Sequence, residues 1–128
     1  QMYEDTAEIL RKYGFHQYEI SNYARDGFEC RHNKGYWQRT EYLGAGLGAA
    51  SLFQGKRFSN TRDMQTYLAD STEPEKIRED VTALSRNNEI EEFMFLGLRM
   101  TEGISERQFE RNFGCRIEDY LWLCSGKI

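Results

Sequence analysis

Cysteine is scarce in this chain, and its spacing does not suit ligation. Cys30 stands alone, and Cys115 and Cys124 are the only others, so no closely spaced set exists for a zinc or iron–sulfur site. An odd, scattered number of thiols also gives no disulfide framework, which predicts a reducing, cytoplasmic setting. The single proline, Pro74, falls in residues 70–75, the best candidate linker. No apolar run reaches the roughly 18 residues that a membrane span needs. No charged-apolar-small leader opens the chain, so neither a span nor secretion is expected. Basic excess is missing too: the net charge is −4 and the isoelectric point about 5.3, which argues against nucleic acid as a partner. Leu, Ile, Val and Phe supply only 26 of 128 residues, at the roughly 20 % floor for ordered chains, and mean hydropathy is −0.78. The 18 aromatic residues partly offset this. A chain of 128 residues suffices for one domain or parts of two. With so thin a core, part of its apolar surface is expected to face a neighbour outside it.

What is present is strongly patterned. Over residues 2–13, Met2, Ile9, Leu10 and Tyr13 recur at helical spacing and Gly14 follows as a cap. Phe15, Tyr18 and Ile20 then predict a short strand, a helix-to-strand connection whose natural setting is a parallel α/β sheet. Residues 21–40 lack any period and predict a long loop, a kind of segment that is often functional. A second strand is expected over residues 42–50, with Gly44, Gly46 and Gly48 along one face, and a further extended piece over 53–58. Helical periodicity returns over 87–100, where Ile90, Phe93, Met94, Gly97 and Leu98 share a face and Gly103 is placed to stop the helix. Ser105 and Gln108 form a capping box, with Ile104 and Phe109 as its hydrophobic staple. That helix should end at Phe113-Gly114, and another is expected over 117–123. There is no internal repeat.

The chemistry-bearing residues concentrate in His32-Asn33-Lys34-Gly35-Tyr36-Trp37. An imidazole can ligate iron, and flat aromatic faces suit a conjugated ring such as a porphyrin. Equally, His32 can hydrogen-bond its own loop while Tyr36 and Trp37 pin that loop down. Gly44, Gly46 and Gly48 leave one face without side chains, open to a ligand or to close packing. No third-glycine helix and acidic partner follow, so a dinucleotide fingerprint is not supported. His16 reads as a structural histidine. Ser21, Ser51 and Ser59 lack a nucleophile-elbow context. The mixed charges of Glu73, Glu75, Lys76, Arg78, Glu79 and Asp80 read as a solvated face. The outward Glu106, Arg107, Glu110 and Arg111 are balanced in sign, as a packing helix would be and a DNA-recognition helix would not.

In this order the pieces resemble the C-terminal part of the radical S-adenosylmethionine family of oxygen-independent coproporphyrinogen III oxidase-like proteins and heme chaperones. Tyr18-Glu19-Ile20-Ser21-Asn22-Tyr23-Ala24 is similar to a late barrel strand and its following turn. His32-Asn33 with Tyr36-Trp37 resembles the loop of the heme chaperone branch, and residues 42–51 its glycine-rich closing strand. Arg57 and Asn60 fit the next stretch. Glu92-Phe93-Met94-Phe95-Leu96-Gly97-Leu98-Arg99 with Glu102-Gly103 resembles the opening helix of the C-terminal domain. The likeness covers about residues 2–121.

This resemblance implies the closing strands and helices of a partial (β/α) barrel over 1–68, a linker over 69–86, and the start of a small helical, winged-helix-like domain over 87–128. It implies S-adenosylmethionine and a [4Fe-4S] cluster in a full-length parent. The cluster would be held there by three closely spaced cysteines, which this chain lacks, so it should be inactive alone and its metal ligands are none unless His32 meets heme iron. By motif position, S-adenosylmethionine contacts fall on the backbone at Ala24 and Ala50, with Gly44 and Gly46 on the same side. Ala50 departs from the histidine or larger aliphatic residue common in the family. Heme or another porphyrin is implied as the ligand, with His32, Tyr36 and Trp37 as its contacts, and a heme-acceptor protein as partner. The His-Asn and Tyr-Trp pairs favour the chaperone branch. The alternatives are oxidative decarboxylation of coproporphyrinogen III and, for residues 87–128, a non-catalytic interaction module.

Overall fold

The computed structural model describes residues 2–125, with side chains through Leu121. Cys124 and the last three residues of the expected 87–128 domain therefore lie outside the described side chains or residues. In chain order the elements are α1 (Met2–Lys12), β1 (His16–Gln17), β2 (Tyr23–Ala24), α2 (Arg31–Trp37), β3 (Ala50–Phe53), β4 (Lys56–Asn60), α3 (Met64–Asp70), β5 (Arg78–Ala83), α4 (Arg86–Gly97), α5 (Glu106–Phe113) and α6 (Ile117–Ser125). They fall into two compact units, residues 1–38 with 90–128, and residues 39–89. The fold is mixed α/β and partial, with no closed barrel among the described residues.

In the first unit, α1 carries Glu4 and Asp5 in its first turn and Arg11 and Lys12 in its last, the charge order that the helix dipole favours. It buries no residue completely, and Met2 is 84 % and Tyr13 71 % exposed. β1 pairs with β2 antiparallel, His16 opposite Ala24 and Gln17 opposite Tyr23. The expected parallel sheet is thus corrected. The partner strand returns after a tight turn, and only an antiparallel ladder can close over so short a connection. Beyond β1, Glu19 bridges Met100, the Ile20 amide donates to Arg99 O, and the Thr101 amide to Tyr18 O.

Two apolar clusters hold this unit. Tyr18, Ala24 and Met100 form one, with Trp37 packed against it. Ile90, Phe93, Phe109 and Phe113 form the other, joined by Met94, Ile104, Cys115, Ile117 and Tyr120. The capping signal is realised: Ser105 Oγ accepts from the Gln108 amide, and the Gly114 amide closes α5 on Glu110 O. Ile104 packs against the cluster that contains Phe109.

The second unit is a three-stranded antiparallel sheet in the order β3-β4-β5. Gln54 and Gly55, both at positive φ, make the two-residue turn between Phe53 and Lys56, a hairpin connection whose twist suits the strands it joins. The extended piece expected over 53–58 is this hairpin. Leu52, Phe58 and Ile77 are its buried apolar residues. Within residues 69–86, turns around Pro74 (Glu73 amide to Asp70 O, Lys76 amide to Glu73 O) lead into β5, which is paired to β4.

Candidate functional site

Residues 21–40 contain a helix that the sequence pattern does not reveal. α2 starts after Cys30, which occupies the N-cap without a side-chain hydrogen bond, and it buries no residue completely. Neither a capping residue nor an apolar stripe announces it. The helix places His32 and Tyr36 four apart on one face, their rings edge-on with centroids 4.4 Å apart. His32 is exposed and Tyr36 half-buried, so the imidazole is available to an external ligand while the phenol ring steadies it. Trp37 turns inward. It packs against Tyr18, Ala24 and Met100, and the Arg99 guanidinium lies 4.3 Å over its ring, a cation–π contact that occupies one indole face. Asn33 Nδ2 donates to the Tyr18 hydroxyl at 3.4 Å, tying α2 to the same cluster.

Trp37 also lines a cavity of about 230 Å³ with Phe93, Gly97, Met100, Ile104 and Gln108. That is below the roughly 300 Å³ at which pockets for drug-sized ligands begin.

The glycine-rich stretch is the second candidate, and the strand expected over 42–50 is corrected here. Only Ala50 begins a strand, and Tyr42 makes an isolated bridge to Leu52. Between them the chain loops. Gly46 has φ +109°, a conformation that side-chain-bearing residues avoid and that breaks an extended run. Gly44 is needed for a different reason, since a Cβ there would stand 2.3 Å from Ala50 O. Gly44 and Ala50, both expected beside S-adenosylmethionine, are thus brought into direct contact. The loop amides are used inward: Gly44 donates to Ser51 Oγ at 3.0 Å, Gly46 to the Tyr67 hydroxyl at 3.1 Å, and Gly48 to Thr61 O at 3.0 Å. Leu43, Ala45, Leu47 and Ala50 are exposed, leaving a small apolar crest outside.

Ala24 belongs to the first unit and Ala50 to the second. Ala24 is buried beside Tyr18 and Met100. The turn before it is closed by Glu19, a residue of the same motif. Glu19 is 0 % exposed. Its Oε1 accepts from the Ser21 amide at 2.9 Å and from the Asn22 side chain, while the Tyr18 amide donates to Asn22 O. No periodicity marks this carboxylate as buried, because its partners are the backbone and side chain of its own turn. His16 sits between two carboxylates, with Nδ1 2.9 Å from Asp26 and Nε2 3.4 Å from Glu29. The Glu29 carboxyl is held below the usual carboxylate range, first by its own backbone amide and then by the Gly27 amide, Lys34 and His16, against partial desolvation.

Among the described residues no group of three or more His, Cys, Asp or Glu side chains could hold a metal ion. Cys30 and Cys115 are unpaired. The residues present therefore do not provide a cluster-binding set. No helix among them is long and apolar enough to cross a membrane.

Comparison with known proteins places the chain. The HemN C-terminal domain family matches residues 84–122. The heme chaperone HemW of Lactococcus lactis subsp. lactis (strain IL1403) is 42 % identical over 117 residues, covering 91 % of this chain and 30 % of the relative. The heme chaperone HemW of Bacillus subtilis (strain 168) is 38 % identical over 118 residues, covering 92 % and 31 % respectively. The chain thus spans about three tenths of the length of these curated relatives. Among solved structures, the coproporphyrinogen III oxidase HemN of Escherichia coli, a radical SAM enzyme, superposes with a TM-score of 0.69 at 18 % identity, over 91 % of this chain and 30 % of that one. The likeness at that identity is one of fold. With the motif order, the domain match and the identities taken together, the chain belongs to the HemN-like family of radical S-adenosylmethionine proteins, in its HemW branch.

Proposed function

We propose that this chain acts as the C-terminal, heme-contacting portion of a heme chaperone, with His32 as axial ligand and Tyr36 beside the ring. The observation that carries this reading is the exposed His32 edge-on to Tyr36 on one face of α2. A neutral imidazole on a helix surface can coordinate iron directly. Trp37 supports the site from beneath, through its packing on Tyr18 and Met100. S-adenosylmethionine would meet the backbone at Ala24, Gly44, Gly46 and Ala50, and would supply radical chemistry together with a [4Fe-4S] cluster held by residues other than these. Residues 1–68 would serve as the closing part of the barrel, 69–86 as its linker and 87–128 as the helical domain. A heme-accepting protein would be the partner, nucleic acid would not, and the unpaired cysteines suit the cytoplasm.

Hemin titration tests the reading. The protein should bind hemin with a shifted Soret band, and His32→Ala should weaken binding at least about tenfold, an axial bond being worth more than 1.4 kcal/mol. Unchanged affinity and spectrum in His32→Ala would remove His32 from the site. The fold likeness to HemN supports a second reading, oxidative decarboxylation of coproporphyrinogen III by a full-length protein. Anaerobic turnover of that substrate by the cluster-reconstituted protein would favour it over the chaperone.

A further inference from the structure

Asn60 lies at the end of β4 and is 7 % exposed. Its side chain spans the mouth of the glycine loop: Nδ2 donates to Gly44 O at 3.1 Å and to Gly46 O at 2.9 Å. Its backbone amide donates to Ala49 O at 3.0 Å. One residue thus grips the loop at its start, middle and end. Both side-chain partners are carbonyl oxygens, which only accept, so the amide nitrogen with its two hydrogens is the only part of the carboxamide that can satisfy them. Ser51 Oγ and the Tyr67 hydroxyl take the amides of Gly44 and Gly46. The loop is fixed by polar side chains rather than by apolar packing.

We propose that Asn60 is a positioning residue that sets the backbone of the glycine loop, whose Gly44 and Gly46 polar groups are taken from within, and so fixes the exposed edge ending at Ala50 for S-adenosylmethionine. The inference rests on the reading above that this edge faces that cofactor. Asn60 touches no reacting atom; it acts through the loop. The loop glycines have no side chains with which to hold their own conformation, which is why a neighbouring strand must hold it for them.

Asn60→Asp is the decisive variant, because it keeps the shape and replaces two donors with acceptors facing carbonyl oxygens. In this chain, amide hydrogen exchange at Gly46 and Gly48 should accelerate by roughly tenfold or more, the effect of losing one or two buried hydrogen bonds. In the cluster-reconstituted full-length protein carrying the segment, the dissociation constant for S-adenosylmethionine should rise by a similar factor. Ile77→Val, a buried change just before β5 in the same unit, controls for lost stability and should move neither quantity comparably. Unchanged exchange in Asn60→Asp would overturn the positioning role. Faster exchange with unchanged S-adenosylmethionine affinity would overturn instead the assignment of this loop to the cofactor. If Ile77→Val weakens S-adenosylmethionine as much as Asn60→Asp does, the effect is general destabilisation and the proposal fails.

Discussion

Phe109 and Gly44 are both indispensable to their surroundings, for opposite reasons. Phe109 is 0 % exposed, closed in by Phe93 at 5.8 Å, Phe113 at 4.9 Å and Tyr120 at 6.3 Å between ring centroids. That region is held by volume, and its polar groups serve mainly to end helices. Around Gly44 what matters is missing volume, and the loop is held by Asn60, Ser51 and Tyr67. Packing of the first kind tolerates hydrophobic exchange at some cost. A hydrogen-bonded loop instead tolerates changes of size outside but not changes of donor for acceptor inside. The cluster thus supplies stability and the loop supplies a defined backbone edge.

The largest effect should come from emptying the cluster. Phe109→Ala is expected to cost about 3–5 kcal/mol, read as the shift in free energy from urea unfolding. A cost below about 1 kcal/mol would mean the cluster does not hold its region. Gly44→Ala should cost about 1–3 kcal/mol by overpacking, since the new methyl would meet Ala50 O and Ala49. An equally stable Gly44→Ala protein would show that the loop can open freely. Ser105→Ala removes the acceptor for the Gln108 amide and should cost about 1 kcal/mol, visible as a lower unfolding midpoint, with Ser105→Asn near neutral.

The smallest effect is a pH dependence in the loop's own unit. Asp63 caps α3 by accepting from the Thr66 amide at 2.8 Å, and chiefly that bond holds its carboxyl below the usual range. Its folded-state value is depressed, so its contribution is complete above the unfolded carboxylate value and fades as pH falls through the folded one. Helical signal from α3 should therefore weaken only in acid, below about pH 4. Asp63→Asn, which caps without a charge, should remove that acid dependence. An unaltered acid profile in Asp63→Asn would assign the effect elsewhere.

Much of the helical part was legible because its signals are local. Ser105, Gln108, Ile104 and Gly114 lie within one helix and its ends, and the spacing of Ile90, Phe93 and Met94 marks the α4 face without outside help. α2 was not legible, since Cys30 provides no cap and Gly35 sits inside the helix. The glycine stretch read as a strand because alternating small residues satisfy a two-residue period; its looped form depends on Asn60 and Tyr67, which come from elsewhere in the chain. Strand direction was missed for the same reason, as Tyr23 and Ala24 form too short a piece to announce a return. At the candidate site, His32 and Tyr36 stand out by residue type alone; their shared face does not, since it depends on α2. Glu19 and Asn60 do not stand out, because their burial follows from turns that no pattern displays.

The pairing of residues 18–20 with 99–101 carries a consequence for synthesis. Thr101 Oγ1 donates to Gln17 O, 84 residues earlier in the chain, and Met100 completes the cluster of Tyr18 and Ala24. At roughly 5–20 residues per second of translation, the first strands emerge on the order of 5 to 15 seconds before their covering partner. Residues 39–89, contiguous in sequence, can close during that wait. The nascent chain therefore holds Tyr18 and Ala24 without Met100, their partner in the cluster, throughout that interval.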